Sequence, residues 1–129
     1  MRQESQIQSA FVMWCQLNER GYPALKLAFS VPNGAWAKNY AMAAKLKREG
    51  MRAGIPDWIL PARGKILIDP YLSDQWQWSP GLAIEFKRLG AKVTKGQANY
   101  HALLRQQGWR VEVCNDWYSA RQIVEEYLA

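Results

Sequence analysis

Apolar residues recur along this chain with two different periods, and the changes between them mark its elements. Ile7, Ala10, Phe11, Trp14 and Cys15 fall at i, i+3, i+4, i+7 and i+8. That spacing predicts one apolar stripe on a helix from Glu4 to about Glu19, stopped by Gly21 and Pro23. Leu25 to Val31 is apolar and reads as a strand, and Pro32-Asn33-Gly34 then forces a turn, because Asn-Gly readily takes positive φ. Asn39 to Glu49 reads as a second helix, with Asn39 as N-cap and Gly50 at its end. Trp58-Ile59-Leu60 is a short strand, and Lys65 to Asp69 alternates weakly enough to be another. Leu82 to Lys87 is the clearest strand: its period of two puts Glu85 and Lys87 on one face, Ile84 and Phe86 on the other. Thr94 to Gln107 reads as a helix closed by Gly108, Val111 to Cys114 as a strand, and Ala120, Ile123, Val124, Tyr127 and Leu128 mark a last amphipathic helix.

The resulting order is helix, strand, helix, strands, helix, strand, helix. It predicts an α/β protein in which a mixed sheet is flanked by helices. With 129 residues and no linker, repeat or low-complexity tract, one domain over 1–129 is the expectation. The stretch from Arg63 to Ser79 exceeds a short link between adjacent strands, and from Pro70 to Pro80 it is rich in turn formers. It also carries Ile66, Leu67, Ile68, Tyr71, Leu72, Trp76 and Trp78. An inserted hairpin or loop at about 63–79 has three uses: folding back on the core, building a dimer contact, or wedging against unpaired bases.

Composition narrows the function classes. The chain is 49% hydrophobic, and its seven Trp, six Tyr and three Phe are too many for a disordered segment. A net charge of +6 favours polyanionic partners, nucleic acid above all. No basic amphipathic helix with a large apolar face and no membrane-length apolar run stands out. The N-terminus carries no apolar signal core, so the protein is expected to work inside a cell, in the cytoplasm. Cys15 and Cys114 should therefore be reduced and buried. One histidine and no paired-cysteine spacing leave little to bind zinc.

The chemistry concentrates in Gly54-Ile55-Pro56-Asp57 and Glu85-Phe86-Lys87, two acids and a lysine at the ends of short buried strands. Hydrolysis of a phosphodiester requires a deprotonated water, an offset for charge on the phosphoryl oxygens and a stabilised leaving oxygen; one or two Mg²⁺ ions supply all three. Mg²⁺ takes hard oxygen ligands and keeps several waters, so Asp57, Glu85 and the backbone carbonyl of Phe86 suffice as the protein's share. Lys87 is a compact charge able to orient the water or neutralise the phosphorane. Alone, a Pro-Asp is usually a turn and a Glu-x-Lys usually a solvated strand face. Here Glu85 and Lys87 stand in an apolar strand, where charge is costly unless paired or bound to metal. A purely structural Glu85–Lys87 pair is the alternative.

Three separated stretches resemble one family. Gly54-Ile55-Pro56-Asp57, then Gly81-Leu82-Ala83-Ile84-Glu85-Phe86-Lys87, then Thr94 with Gln97, are similar to the VRR-NUC nucleases of the PD-(D/E)xK superfamily, in particular the stand-alone phage type. Pro32-Asn33-Gly34, Lys47 to Ala53 and Gly108 to Cys114 extend the likeness to nearly the whole chain outside Arg63 to Ser79. The resemblance implies a restriction-endonuclease-like core and Mg²⁺- or Mn²⁺-dependent cleavage of DNA, with no nucleotide cofactor. It implies that Asp57 and Glu85 ligate metal, Lys87 is the catalytic lysine, Glu4 an additional acid and Gln97 a polar residue beside the site. It further implies a homodimer acting on branched DNA such as Holliday junctions. Gln97 also fits a capping box with Thr94, and Glu4 is an acid in a first helical turn, where the dipole favours any Glu.

Lys38, Lys45, Lys47, Arg48, Arg52, Arg88, Lys92 and Lys95 are the candidates for phosphate contact. His101 is read as a surface or partly buried helix residue, with nothing near it to support a general base. Two competing readings share the same sequence: a nuclease for flap or duplex DNA, and a catalytically silent DNA-binding module.

Overall fold

The computed structural model describes residues 3–32, 38–69, 71–72 and 74–129. The turn expected at Asn33-Gly34 lies outside them. Helix α1 (Gln3–Leu17) is followed by a 3₁₀ turn (Pro23–Leu27) and a two-residue strand β1 (Phe29–Ser30). The strand expected from Leu25 is thus mostly 3₁₀: Pro23 starts the turn, and Leu25 is its one buried side chain. Helix α2 (Tyr40–Arg48) begins where Asn39 accepts from the Met42 N–H, and it buries none of its residues. Then come β2 (Trp58–Leu60), β3 (Gly64–Leu67), β4 (Trp76–Ser79), β5 (Leu82–Phe86), α3 (Lys95–Gln106), β6 (Arg110–Cys114) and α4 (Trp117–Tyr127).

The main sheet runs β1-β2-β5-β6. β2 pairs antiparallel with both β1 and β5, whereas β5 and β6 are parallel and joined through α3, so the sheet is mixed. β5 is buried along its whole length. In register with it, Trp58 lies opposite Ile84 and Leu60 opposite Leu82. These residues share the face that α1 and α4 cover. There Phe11 packs edge-on against Trp58 with ring centroids 4.8 Å apart and tilted against Phe86 at 5.5 Å. Phe11, Cys15, Trp58, Leu60, Leu82, Ile84, Phe86, Val124 and Tyr127 belong to one core. α3 covers the opposite face, the one that alternation assigns to Asp57, Glu85 and Lys87.

The long link between β2 and β5 is a β-hairpin. β3 and β4 pair antiparallel with Lys65 opposite Trp78 and Leu67 opposite Trp76. Trp76–Ser79 is therefore a strand where turn formers suggested irregular chain. The hairpin's inner face is docked on α4. A side chain at Gly64 would collide with the Tyr127 ring, with carbon atoms only 2.3 Å away. The Tyr127 hydroxyl lies within donor reach of the Ala62 carbonyl at 2.6 Å and the Ser79 carbonyl at 3.1 Å.

Both cysteines are free and buried, and burial pushes both thiols up to about 12, so they are inert core residues. Among the described residues, no helix is long and apolar enough to cross a membrane.

Candidate active site

Asp57 ends the loop that enters β2, one residue before the last β2–β5 pair, Trp58 with Ile84. Beyond that pair the β5 edge has no strand partner on this side, and the Asp57 side chain takes over. Its Oδ2 accepts the Phe86 N–H at 2.8 Å. The Asp57 carbonyl in turn accepts the Val31 N–H at 2.9 Å, so the residue is pinned from both sides. Gly54 sets the approach. It has φ +83°, and a β-carbon there would stand 2.6 Å from the Gly96 carbonyl oxygen in the first turn of α3. Only glycine lets the loop close on that helix.

Glu85 projects from β5 beneath α3 and is 2% exposed. Two residues one helical turn apart on α3 hold its carboxylate. Gln97 Nε2 donates to Oε2 at 3.4 Å, and His101 Nε2 stands 3.3 Å from Oε1. The Gln97 amide cannot turn the other way, because its Oε1 accepts the Thr94 N–H at 2.9 Å while Thr94 Oγ1 accepts the Gln97 N–H at 3.1 Å. The capping box and the contact with Glu85 thus coexist in one side chain.

Burial pushes the Glu85 carboxyl up to about 9; hydrogen bonding and repulsion from Asp57 add to this, Lys87 opposes it, and Glu4 adds a smaller upward push. Asp57, Glu4 and Lys87 thus all act on one carboxyl group. Glu4 reaches over from α1, its Oε2 accepting the Arg88 N–H at 3.4 Å. Lys87 is half-buried just past β5, its N–H donated to the Cys114 carbonyl at 2.9 Å. The structure therefore brings together all five residues singled out from the sequence: Glu4, Asp57, Glu85, Lys87 and Gln97.

It adds a sixth. His101 is 2% exposed and touches Glu85, where the sequence predicts a surface or partly buried helix residue. Burial lowers its pKa, as do the charges of Arg105 and Lys87, while Asp57 pulls the other way. A neutral imidazole donates to Glu85 when its proton is on Nε2. The available signal was the i, i+4 spacing from Gln97, which puts both on one side of α3.

Acids held against one another, one of them fully buried, suit a cation. Among the described residues no three His, Cys, Asp or Glu side chains form a metal-binding group. The donor set is two carboxylates plus a main-chain oxygen. Because the N–H and C=O of an extended residue leave on the same edge, the Phe86 carbonyl faces the Asp57 side, where its N–H is already bound. Hard oxygens in this number fit Mg²⁺ or Mn²⁺, which keep waters, rather than zinc.

The cationic residues divide into two groups. Arg88, Lys92 and Lys95 are exposed on the chain that leads from β5 into α3, next to the acids. Lys38, Lys45 and Arg52 are exposed on and around α2, and no hydrogen bond or ion pair among the described residues ties them to the site. Lys45 instead pairs with Glu49 at 3.8 Å, a solvent-exposed contact of small energetic weight.

The VRR-NUC domain model matches residues 2–117 of the chain. A solved structure described as a VRR_NUC domain protein superposes with a TM-score of 0.71 at 25% sequence identity, over 96% of this chain and 86% of that one. No curated protein matches.

Proposed function

The chain belongs to the VRR-NUC family, with its restriction-endonuclease-like mixed sheet and nuclease-type function, and from that premise we propose that it is a divalent-cation-dependent endonuclease that hydrolyses phosphodiester bonds in branched DNA as a homodimer. The observation that carries the reading is the convergence of Asp57 on the end of β5 that bears Glu85 and Lys87, two segments far apart in sequence.

Each residue has a role its surroundings support. Asp57 and Glu85, with the Phe86 carbonyl, would hold Mg²⁺ or Mn²⁺. When bound, such an ion supplies Lewis acidity, lowering the pKa of water and offsetting charge on the phosphoryl oxygens. Lys87 stands beside Glu85 and supplies a positive point charge to the phosphoryl group, or to the water that attacks it. Gln97 and His101 fix the rotation of the Glu85 carboxylate, leaving a lone pair on each oxygen for a ligand. Glu4 adds negative charge beside the cation site. Arg88, Lys92 and Lys95 offset the repulsion that the acids would exert on a phosphate backbone. Two such sites about a two-fold axis suit paired incisions in a nearly symmetric junction.

The test is cleavage of a four-way junction, a flap and a linear duplex in Mg²⁺, Mn²⁺ and EDTA. Metal-dependent cutting of the junction, lost in Asp57→Asn and Lys87→Met variants that keep their fold and DNA binding, is the expected result. Equal cutting of all three substrates would reassign the substrate. Binding without cutting in any metal would make the chain a silent module, and a monomeric mass in gel filtration would remove the dimer.

A further inference from the structure

We propose that the outward face of the β3–β4 hairpin is a second nucleic-acid contact, built to stack unpaired bases. In the hairpin's register Lys65, Leu67, Trp76 and Trp78 share one face. Trp76 and Trp78 meet edge to face with centroids 4.7 Å apart. The Arg63 guanidinium carbon lies 4.2 Å from the Trp78 centroid, and Lys65 Nζ lies 4.7 Å from that of Trp76. Neither cation pairs with a carboxylate among the described residues. Trp78 nevertheless remains 51% exposed.

Core packing does not account for this face. The hairpin folds back on the protein through its other side, where Gly64 meets Tyr127 and Ser79 is buried with its hydroxyl donated to the Gly81 carbonyl at 2.8 Å. The aromatic side is what remains, held on a base anchored to α4. A second copy of the chain is a poor occupant, since a two-fold contact would bring two such patches, each with Arg63 and Lys65 and no carboxylate paired to them among the described residues, into one interface. Duplex DNA fits the charge but hides its base faces within the stack. Two cations over two indoles match a single strand, whose phosphates meet the cations and whose open bases meet the rings.

Position refines the role. The hairpin joins β5 at Leu82, and Glu85 lies three residues further on. At about 3.3 Å per residue the two ends of this stretch are roughly 10 Å apart along the strand. The hairpin thus joins β5 at its start and the acid site lies near its other end, so the platform would hold strand away from the scissile link. Its use in selecting branched DNA rests on the nuclease reading above; the binding itself does not.

The experiment measures binding of a labelled dT12 and of a 12-base-pair duplex by anisotropy, on the full chain in EDTA, where the acid site is silent. Trp78→Ala is expected to weaken dT12 binding roughly 5- to 150-fold while leaving duplex binding within about twofold. Trp78→Tyr keeps a ring and should keep most of the affinity, and circular dichroism confirms that both variants fold. Unchanged dT12 binding, or equal loss on both ligands, overturns the proposal. A fall in gel-filtration mass in Trp78→Ala also overturns it, assigning the face to a second copy. The two readings fail separately. A chain that binds dT12 through Trp78 yet cuts nothing loses the nuclease reading alone. A chain that cuts junctions with Trp78 irrelevant to dT12 loses this inference alone.

Discussion

Replacing Glu85 by Gln should stabilise the metal-free protein in mildly alkaline solution, although the residue lies at the centre of the proposed active site. In the folded chain the Glu85 carboxyl is pushed from its ordinary value of 4.5 up to about 9. Between these values the folded state holds a proton that the unfolded state has released. The stability this group contributes is therefore present below about 4.5 and is lost as pH rises toward 9, at about 1.4 kcal/mol per pH unit. His101 acts in the opposite sense: its pKa is lowered from 6.5, so its contribution is present above that value and is lost as pH falls through the lowered pKa. Above pH 7 it is mostly neutral in both states. Cys15 and Cys114, both raised to about 12, add a loss only once unfolded thiols ionise near 9. The window from pH 7 to 8.5 isolates Glu85 among the shifted acids, bases and thiols around the pocket and core.

Across that window the wild type should lose about 2 kcal/mol, or roughly 6–10 °C in melting temperature for a chain of this size. Glu85→Gln, neutral throughout, should be nearly flat and melt higher at pH 8.5. The assay is thermal or urea unfolding of both proteins in EDTA at half-unit pH steps. Mg²⁺ supplies the complement. At a hundred times its dissociation constant it should return about 2.7 kcal/mol to the wild type and nothing to the variant. A wild-type profile flat from pH 7 to 8.5, or a variant falling with the same slope, would refute the account of Glu85 as an acid kept in a hostile pocket for a cation.

Three other outcomes follow from the same geometry. His101→Phe fills the imidazole's space but removes the contact on Glu85 Oε1; Mn²⁺ affinity, read by electron paramagnetic resonance without DNA, should weaken about 10- to 100-fold and recover in His101→Gln. Gly54→Ala combines a left-handed φ with a β-carbon 2.6 Å from the Gly96 carbonyl oxygen, so the unfolding free energy from urea titration should fall by more than the roughly 1–2 kcal/mol of the backbone term alone. Tyr127→Phe leaves the Ala62 and Ser79 carbonyls without their hydroxyl and should cost about 1–3 kcal/mol, with hydrogen exchange in β3 and β4 rising more than in β5.

The parts of the fold most legible in the sequence are those whose side chains have one reason to be where they are. β5 is apolar on the core face and carries Glu85 on the other, with Lys87 just past its end on that same side. The helices α1, α3 and α4 show their stripes and caps. Legibility fails where two explanations share a pattern. Leu25–Val31 is apolar with or without a strand, and Pro23 tips its first half into a 3₁₀ turn. Trp76-Gln77-Trp78-Ser79 alternates as a strand should, but its aromatic side faces outward, so hydrophobicity did not mark it as an element against the turn formers around it. His101 was hidden differently. A lone histidine on a helix has no preferred reading until the strand beneath it is known, and its partner Glu85 lies 16 residues away.

Asp57 and Glu85 meet only because two backbone features cooperate, and neither feature is acidic. Gly54 lets the loop before β2 touch the first turn of α3, and the capping box at Thr94 and Gln97 fixes where that turn begins. The same turn presents Gln97 and, four residues on, His101 to Glu85. One contact between two glycines, Gly54 and Gly96, thus sets the height of α3 over the sheet, and with it the distance between the residue that holds Phe86 and the residues that hold Glu85. Exchanging an acid removes a proposed ligand and leaves this frame intact. Moving the glycine contact shifts both carboxylates relative to one another while every polar side chain is retained. Loss of metal binding in Gly54→Ala, with Asp57 and Glu85 both present, would separate the contribution of that spacing from the contribution of charge.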